Sequence, residues 1–235
     1  MFNKVILAVV GTSKSGKTTA IEMLLKGLTK KGFKIGSAKH IPELGFTIDS
    51  EGKDTWRHSQ AGASTVLSVS QKEVAIIKKT NNENLDLKRM VSEFPDDTDL
   101  IILEGFKKLV DQDSSIPKLV TVKTVEDVKI ALKRYKNILS FIISFPFAEI
   151  ETNIPLIDTL KEPEKLVDLV DQKVSILIQR KREREEKIIV NINGEILPLG
   201  DFVQDILRNT ILSMISSLKG AKIEGKEKVS VVIKN

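Results

Sequence analysis

The sequence predicts an α/β protein, a three-layer sandwich with a mostly parallel sheet, followed by a small α+β C-terminal domain. Three observations lead to this fold class. Short, solidly apolar runs alternate with amphipathic segments, which is typical of parallel sheets covered by helices. A glycine-rich turn directly follows the first apolar run. A charged run, "RKREREEK" at 180–187, separates the end of the chain from the rest.

The N-terminal segment has the pattern of a βαβ unit. Val5–Val10 is continuously apolar and predicts a strand buried on both faces. Apolar residues then recur with the period of an amphipathic helix, at Ile21, Leu24, Leu25 and Leu28. The sequence "KKG" at 30–32 is a helix C-terminus with basic residues and a glycine. Lys34–Ala38 predicts the second strand, joined to the first by a right-handed crossover.

The same alternation continues to about residue 180. Thr65–Val69 and Glu73–Lys78 predict a hairpin, and Leu85–Phe94 predicts a helix. A further helix should begin after Thr124, a suitable N-cap, and another at Pro163. Buried-type strands are predicted at Leu100–Leu103, Leu119–Val122 and Ile138–Ser144.

We predict two domains, 1–180 and 187–235, with the charged run 180–187 as a linker whose structure is a solvated helix end. The second domain should contain a hairpin turning at Asn193–Gly194, a helix over Asp201–Leu218 and a strand over Val229–Ile233. So short a unit buries little core. We therefore expect it to pack on the first domain or on a second copy, with docking across a homodimer as the favoured case.

Composition excludes several classes of function. The chain has no cysteine, which excludes disulfides, zinc fingers and cysteine nucleophiles and is typical of a reducing cytoplasm. A formal net charge of +5 suits anionic ligands but is too small to predict nucleic-acid binding. The first apolar run is too short for a signal peptide or a membrane span. We expect a cytoplasmic protein that does not bind membranes.

The sequence "VVGTSKSGKTT" at 9–19 has the spacing G-x-x-x-x-G-K-[ST] of a phosphate-binding loop, the Walker A motif of P-loop NTPases. Its glycines allow tight turns, and the loop N–H groups and helix N-terminus bind phosphate. Lys17 should reach the β- and γ-phosphates, and Thr18 should coordinate Mg²⁺. Lys14 could contact phosphate or simply face solvent. The predicted nucleotide-binding residues are Gly11, Thr12, Ser13, Lys14, Ser15, Gly16, Lys17, Thr18 and Thr19.

Glu104 is the second candidate for the chemistry of this site. It follows the predicted strand Leu100–Leu103, and the carboxyl ends of parallel strands form the ligand-binding crevice of such sheets. We predict that Glu104 orients Mg²⁺ or water. Glu104 and Lys17, which reaches the phosphates, are the predicted catalytic residues. Asp99 precedes the same strand and therefore lies at the wrong end of the sheet.

The segment after the second predicted strand holds both histidines, His40 and His58, and the only tryptophan, Trp56. A metal site is disfavoured because cysteine and close ligand spacing are lacking. Lys39 and His40 should lie on the same sheet edge as the phosphate loop, and we predict a polar, basic wall there. Trp56 should be packed rather than serve as a stacking platform.

Four sequences resemble, in order and spacing, the molybdopterin-guanine dinucleotide biosynthesis protein B (MobB) family over roughly residues 3–170. They are "GTSKSGKTT", the "KH" ending strand two, "DSEGKDTWRHSQAGA" and "DLIILEGFK". The resemblance implies a dimeric P-loop protein that binds GTP, hydrolyses it weakly and assists the enzyme that attaches GMP to molybdopterin. It implies that Gly11–Thr19 binds the phosphates of GTP. It implies a pocket with Asp49 or Glu104 near Mg²⁺, formed by Asp49, Lys53, Arg57, His58 and Glu104.

Two other functions fit the residues. A small-molecule kinase would use the same loop but needs an arginine-bearing lid. A non-catalytic adapter would use the nucleotide only to shape a docking surface. The sequence has no N-K-x-D motif of the kind that recognises guanine. The prediction that the ligand is GTP rather than ATP therefore follows from the resemblance alone. The segment after Lys187 resembles C-terminal extensions of some archaeal family members.

Overall fold

A computed structural model describes residues 4–43, 45–80, 86–144, 146, 151–185, 188, 190–192, 195–221 and 229. Its central feature is a six-stranded sheet in which every neighbouring pair is parallel. In spatial order the strands are β2 (Ile35–Lys39), β5 (Leu100–Glu104), β1 (Val5–Gly11), β6 (Lys118–Thr121), β7 (Ile138–Ile143) and β8 (Leu156–Asp158). The mostly parallel α/β prediction is confirmed.

Central strand β1 is apolar throughout because both of its faces are covered. Val5–Val10 is buried along its whole length. Every second residue of β1 faces the same side of the sheet, and Ile6, Ala8 and Val10 belong to one core cluster. The cluster also contains apolar residues of three helices, α3 (Leu87–Ser92), α4 (Lys107–Val110) and α5 (Val125–Arg134). Helices thus pack on this face, as expected for a layered α/β fold.

Helix α1 (Lys17–Lys30) completes the predicted βαβ unit and contacts β1, β2 and β5. It ends as the "KKG" pattern predicts: Gly32 has φ +92°, and its N–H donates to the Thr29 carbonyl at 3.0 Å. Gly27 allows α6 (Pro163–Glu185) to approach closely, since a Cβ there would lie 2.6 Å from a Val167 methyl.

The connection from β2 to β5 is longer than a single crossover helix. It contains α2 (Asp54–Gln60), the hairpin of β3 (Thr65–Val69) and β4 (Val74–Lys78), and α3. The hairpin is antiparallel and confirms the prediction. Helix α2 was not predicted. The predicted helix Leu85–Phe94 corresponds to α3, and Leu85 lies outside the described residues.

Beyond β6 the chain follows the predicted alternation. Thr124 caps α5 in a capping box: Asp127 N–H donates to the Thr124 hydroxyl, and the Asp127 carboxylate accepts from the Thr124 N–H. Helix α6 begins at Pro163 as predicted. The sequence patterns missed β8 and α4, since elements of three and four residues have too few positions to show a period.

The chain clusters into two compact units, Met1–Val174 and Ser175–Asn235. The described part of the charged run, 180–185, continues helix α6. In the second unit, β9 (Val190–Ile192) pairs antiparallel with β10 (Glu195–Leu197), and α7 spans Asp201–Ser216. The turn at Asn193–Gly194 and the strand predicted at Val229–Ile233, except Val229, lie outside the described residues. Among the described helices, none is long and apolar enough to cross a membrane.

Candidate nucleotide-phosphate site

The loop Gly11–Lys17 lies at the carboxyl end of β1, between the ends of its two neighbours β5 and β6. After β1 the chain forms β2 and β5, which lie on one side of β1 in the sheet. It then forms β6, β7 and β8, which lie on the other side of β1. The strand order therefore reverses at β1, and open α/β sheets bind ligands at the carboxyl edge beside such a reversal. The fold places the predicted phosphate loop at this point.

Two glycines hold the loop against the neighbouring strands. Gly11 has φ +150°, and a Cβ there would lie 2.1 Å from the Thr121 hydroxyl oxygen and 2.4 Å from the Thr121 carbonyl oxygen. Gly16 has φ +88°, and its Cβ would lie 2.6 Å from the Ser144 Oγ. Lys14 also has positive φ, +55°. Positive-φ residues that alternate with ordinary ones, as at 14 and 16, turn backbone N–H groups into a concave anion site.

A buried pair of hydroxyls fixes the middle of the loop. Ser15 is fully buried, its Oγ lies 2.6 Å from the Thr121 Oγ1, and it donates to the Thr12 carbonyl at 2.8 Å. With the Ser15 hydrogen on the Thr12 carbonyl, the Thr121 hydroxyl donates to Ser15 Oγ, and it also lies 3.2 Å from the Val10 carbonyl oxygen. Removal of either hydroxyl would leave a buried polar group with fewer partners, which is costly. The loop is thus held in one shape by the end of β6.

The half-buried ammonium of Lys17 lies over the loop. It donates to the Gly11 carbonyl at 3.4 Å and to the Thr12 carbonyl. Burial is the main cause that lowers the pKa of Lys17, and the charges of Lys107, Lys39 and Lys123 lower it further, against the raising effect of Glu104. The site is therefore rich in positive charge, and an anionic ligand would relieve this repulsion.

Glu104 meets the loop as predicted. The Thr18 hydroxyl donates to Glu104 Oε1 at 3.1 Å, and the Lys39 ammonium lies 3.5 Å from the same oxygen. The Glu104 side chain is only 14% exposed. His40 is held beside Glu104, because the backbone N–H of His40 donates to the backbone carbonyl of Glu104 at 3.0 Å. The His40 ring lies 5.4 Å from the ring of Phe106. Lys39 and His40 thus lie on the loop edge of the sheet.

The residues at the start of α1 and the end of β5 suit a magnesium ion bound together with a phosphate. Mg²⁺ in nucleotide sites takes one or two protein oxygens, phosphate oxygens and waters. The Thr18 hydroxyl and Glu104 carboxylate, at hydrogen-bond distance, supply such a pair. Across the described ranges, no group of three or more His, Asp or Glu side chains could hold a metal by itself. A magnesium site here would therefore depend on the phosphates.

The structure does not join the other predicted pocket residues to the loop through a described contact. Asp49 accepts from the Ser50 N–H at 2.9 Å and the Thr55 hydroxyl at 3.0 Å. Arg57 pairs with Asp54 at 3.8 Å. Lys53 is the N-cap of α2, and His58 is exposed on that helix. The Asp49 Oδ2 is buried and, within the described residues, accepts no hydrogen bond. Asp49 as a magnesium ligand stays a prediction.

Sequence reasoning missed four residues around the loop, which are Lys107, Thr121, Lys123 and Ser144. Thr121 and Ser144 stand at or just after the ends of β6 and β7, and Lys123 lies two residues beyond β6. Their common signal is position, since the carboxyl end of every strand of a parallel sheet faces the same crevice. Lys107 lies three residues after Glu104 and is the last residue of the sequence "DLIILEGFK".

A family model described as molybdopterin guanine dinucleotide synthesis protein B matches residues 6–144, which include the loop and Glu104. A Methanocaldococcus jannaschii protein, provisionally named a molybdopterin-guanine dinucleotide biosynthesis adapter protein, is 28% identical, with 92% of each chain covered. The adapter protein of that name from Haemophilus influenzae is 34% identical over 49% of this chain and 61% of its own length. Because 92% of this chain is covered, the similarity to the archaeal relative extends into the C-terminal unit.

Solved structures agree with the sequence matches. The crystal structure of Bacillus subtilis MobB superposes with a TM-score of 0.57 at 27% identity and covers 72% of this chain and 97% of its own. A crystal structure of molybdopterin-guanine biosynthesis protein B gives a TM-score of 0.56 at 26% identity and covers 73% and 99%. The shared part is therefore nearly a whole bacterial chain.

The close fit of Gly11 against Thr121 generates a prediction. Gly11→Ala would press a methyl group into the hydroxyl and backbone of Thr121, so we expect loss of about 1–3 kcal/mol of stability and at least a roughly 10-fold loss of GTP affinity. Gly32→Ala is the matched control, because Gly32 also has positive φ but has no atom within 4 Å of a Cβ. It should lower the melting temperature and leave GTP affinity unchanged. Equal GTP affinity in both variants by calorimetry would contradict the prediction.

Proposed function

The chain belongs to the molybdopterin guanine dinucleotide synthesis protein B (MobB) family, and from that premise we propose that it is a GTP-binding accessory protein of molybdopterin guanine dinucleotide biosynthesis. The observation that carries the proposal is the intact phosphate loop, with Thr18 joined to Glu104 at 3.1 Å, inside the matched region. GTP with Mg²⁺ is the ligand, and the guanylyltransferase of the molybdenum (or tungsten) cofactor pathway is the partner protein. The absence of cysteine suits action in the cytoplasm.

Two roles of the nucleotide are compatible with this site. In the first, the protein is a weak GTPase, and Glu104 orients Mg²⁺ or water for hydrolysis. In the second, the protein is a non-catalytic adapter, and bound nucleotide shapes the surface that meets the partner. The adapter name of the relatives favours the second role. A small-molecule kinase receives no support from these names.

Lys17 tests whether the loop binds phosphate at all. Lys17→Ala removes charge-assisted hydrogen bonds of about 1.5–3 kcal/mol, so GTP affinity should fall roughly 10- to 100-fold in calorimetry. Lys26→Ala, which removes an exposed lysine of the same helix, should bind GTP like the natural chain. Unchanged affinity in a folded Lys17→Ala protein would refute the phosphate-loop assignment.

Glu104 tests whether the site hydrolyses GTP. Glu104→Gln keeps the shape of the side chain but removes its charge, so hydrolysis should fall at least about 10-fold while GTP binding is largely retained. Asp99→Asn, at the opposite end of β5, should not change hydrolysis. Phosphate release at the natural rate in Glu104→Gln, with a loss in Asp49→Asn, would show that Asp49 rather than Glu104 orients Mg²⁺ or water. Partner binding that survives without hydrolysis would support the adapter role.

We also propose that the protein forms a homodimer through its C-terminal unit. Helix α7 exposes four large apolar side chains, between 44% and 76% exposed: Phe202, Val203, Ile206 and Met214. At about 100° per residue they lie within about 120° of the helix circumference, which is one broad face. Such a face is usually covered by a partner surface. The residues of this unit also lie outside the family-model match.

The dimer proposal predicts that polar substitutions on this face produce a monomer. The double variant Phe202→Ser, Ile206→Ser should lower the mass measured by multi-angle light scattering to that of one chain, with GTP affinity unchanged, since the phosphate loop lies in the other unit. Arg208→Ser changes a polar residue on the opposite side of the same helix and should stay dimeric. A dimer for the double variant, or a monomer for the natural chain, would refute the proposal.

A further inference from the structure

The ammonium of Lys123 lies at the outer rim of the phosphate loop. It donates to the Ser13 carbonyl at 3.2 Å in an exposed position. The Lys17 ammonium donates to the carbonyls of Gly11 and Thr12, the two residues just before Ser13. Two lysines from different parts of the chain therefore occupy consecutive carbonyls of one loop, Lys17 from its half-buried side and Lys123 from its rim.

The backbone at Lys123 is fixed more firmly than an exposed loop requires. The Lys123 N–H donates to the Asp127 carboxylate at 2.9 Å, and the Thr124 N–H donates to the same oxygen at 3.1 Å. Asp127 in turn is held by the Thr124 hydroxyl in the capping box of α5. Val122, just before Lys123, is buried, and its N–H donates to the Ile142 carbonyl at 2.9 Å. The backbone that carries the Lys123 side chain is thus fixed, and the ammonium at the end of the side chain reaches the loop.

The charges around the loop favour an anion beside Lys123. Lysines 39, 107 and 123 all act on Lys17 and lower its pKa, with Glu104 as the opposing carboxylate in that set. Carbonyl oxygens are weaker partners for an ammonium than ionised phosphate oxygens. A ligand with phosphate charge at the rim would therefore draw Lys123 from the Ser13 carbonyl at little cost in backbone movement.

We propose that Lys123 binds the terminal phosphate of a nucleoside triphosphate and thereby lets this site distinguish a triphosphate from a diphosphate. The inference rests on the proposed nucleotide function and deepens it. Lys17 is the lysine that reaches the β- and γ-phosphates in such loops. Lys123 lies next to it on the exposed side, so the outermost phosphate is the group within its reach, and a diphosphate lacks that group.

The test compares two nucleotides with the full chain. The measurement is calorimetry with GDP and with a non-hydrolysable GTP analogue at constant Mg²⁺. Lys123→Gln should lower the affinity for the analogue roughly 10-fold, which is the lower limit for loss of a charge-assisted hydrogen bond. We expect the lower limit because the rim of the loop is exposed. GDP affinity should change less than about 2-fold. Lys123→Arg keeps the charge and should restore the preference. Lys133→Gln, which removes an exposed lysine near the far end of α5, should bind both nucleotides like the natural chain.

Three results would overturn the inference. The glutamine amide can still donate to the Ser13 carbonyl, so a lysine that merely braces the loop would give unchanged binding of both nucleotides in Lys123→Gln. An equal loss of affinity for GDP and the analogue would show distortion of the whole loop.

Lys17→Ala separates this inference from the proposed function. If Lys17→Ala lowers the affinity for both nucleotides while Lys123→Gln changes neither affinity, only the role of Lys123 is wrong. If the natural chain binds neither nucleotide, both proposals are wrong.

Discussion

The contact between Gly11 and the end of β6 is the constraint on which the site depends. Parallel pairing brings Gly11 opposite Thr121, and the absence of a side chain at Gly11 lets the loop start directly on the Thr121 hydroxyl and carbonyl. The same hydroxyl holds Ser15, which is fully buried. A loop fixed in this way presents its N–H groups without reorganisation when a ligand arrives, which lowers the entropic cost of binding.

Charge is the second constraint, and it is imposed by topology rather than by one motif. Lys17 comes from the loop, Lys39 from the end of β2, Lys107 from the start of α4 and Lys123 from the segment after β6. Parallel strands converge at one edge, so four separate parts of the sequence bring their ammonium groups to the same crevice. Glu104 at this edge pairs with Lys39 and accepts from Thr18, which suits a cation held between protein and phosphate oxygens.

The remaining parts of the chain relate differently to the family. Asp49, Lys53, Arg57 and His58 lie within the matched region. The described hydrogen bonds of Asp49 and the ion pair of Arg57 are nevertheless local, with partners between residues 47 and 57. The C-terminal unit lies beyond the matched region but within the similarity to the archaeal relative. Its exposed apolar helix face suggests a role in assembly rather than in phosphate binding.

The sequence by itself determined the fold class, the phosphate loop and the position of Glu104. These follow from local patterns: a continuously apolar strand, a fixed glycine spacing and an acid at a strand end each depend on neighbours in the sequence. Helix α2, strand β8 and the residues Thr121, Lys123 and Ser144 at the loop could not be read in this way. Their positions depend on which strands become neighbours, and Thr121 meets Ser15 across 106 positions of sequence. Only the tertiary structure decides such contacts, because strand order is set by the packing of the whole sheet and not by the period of any one segment.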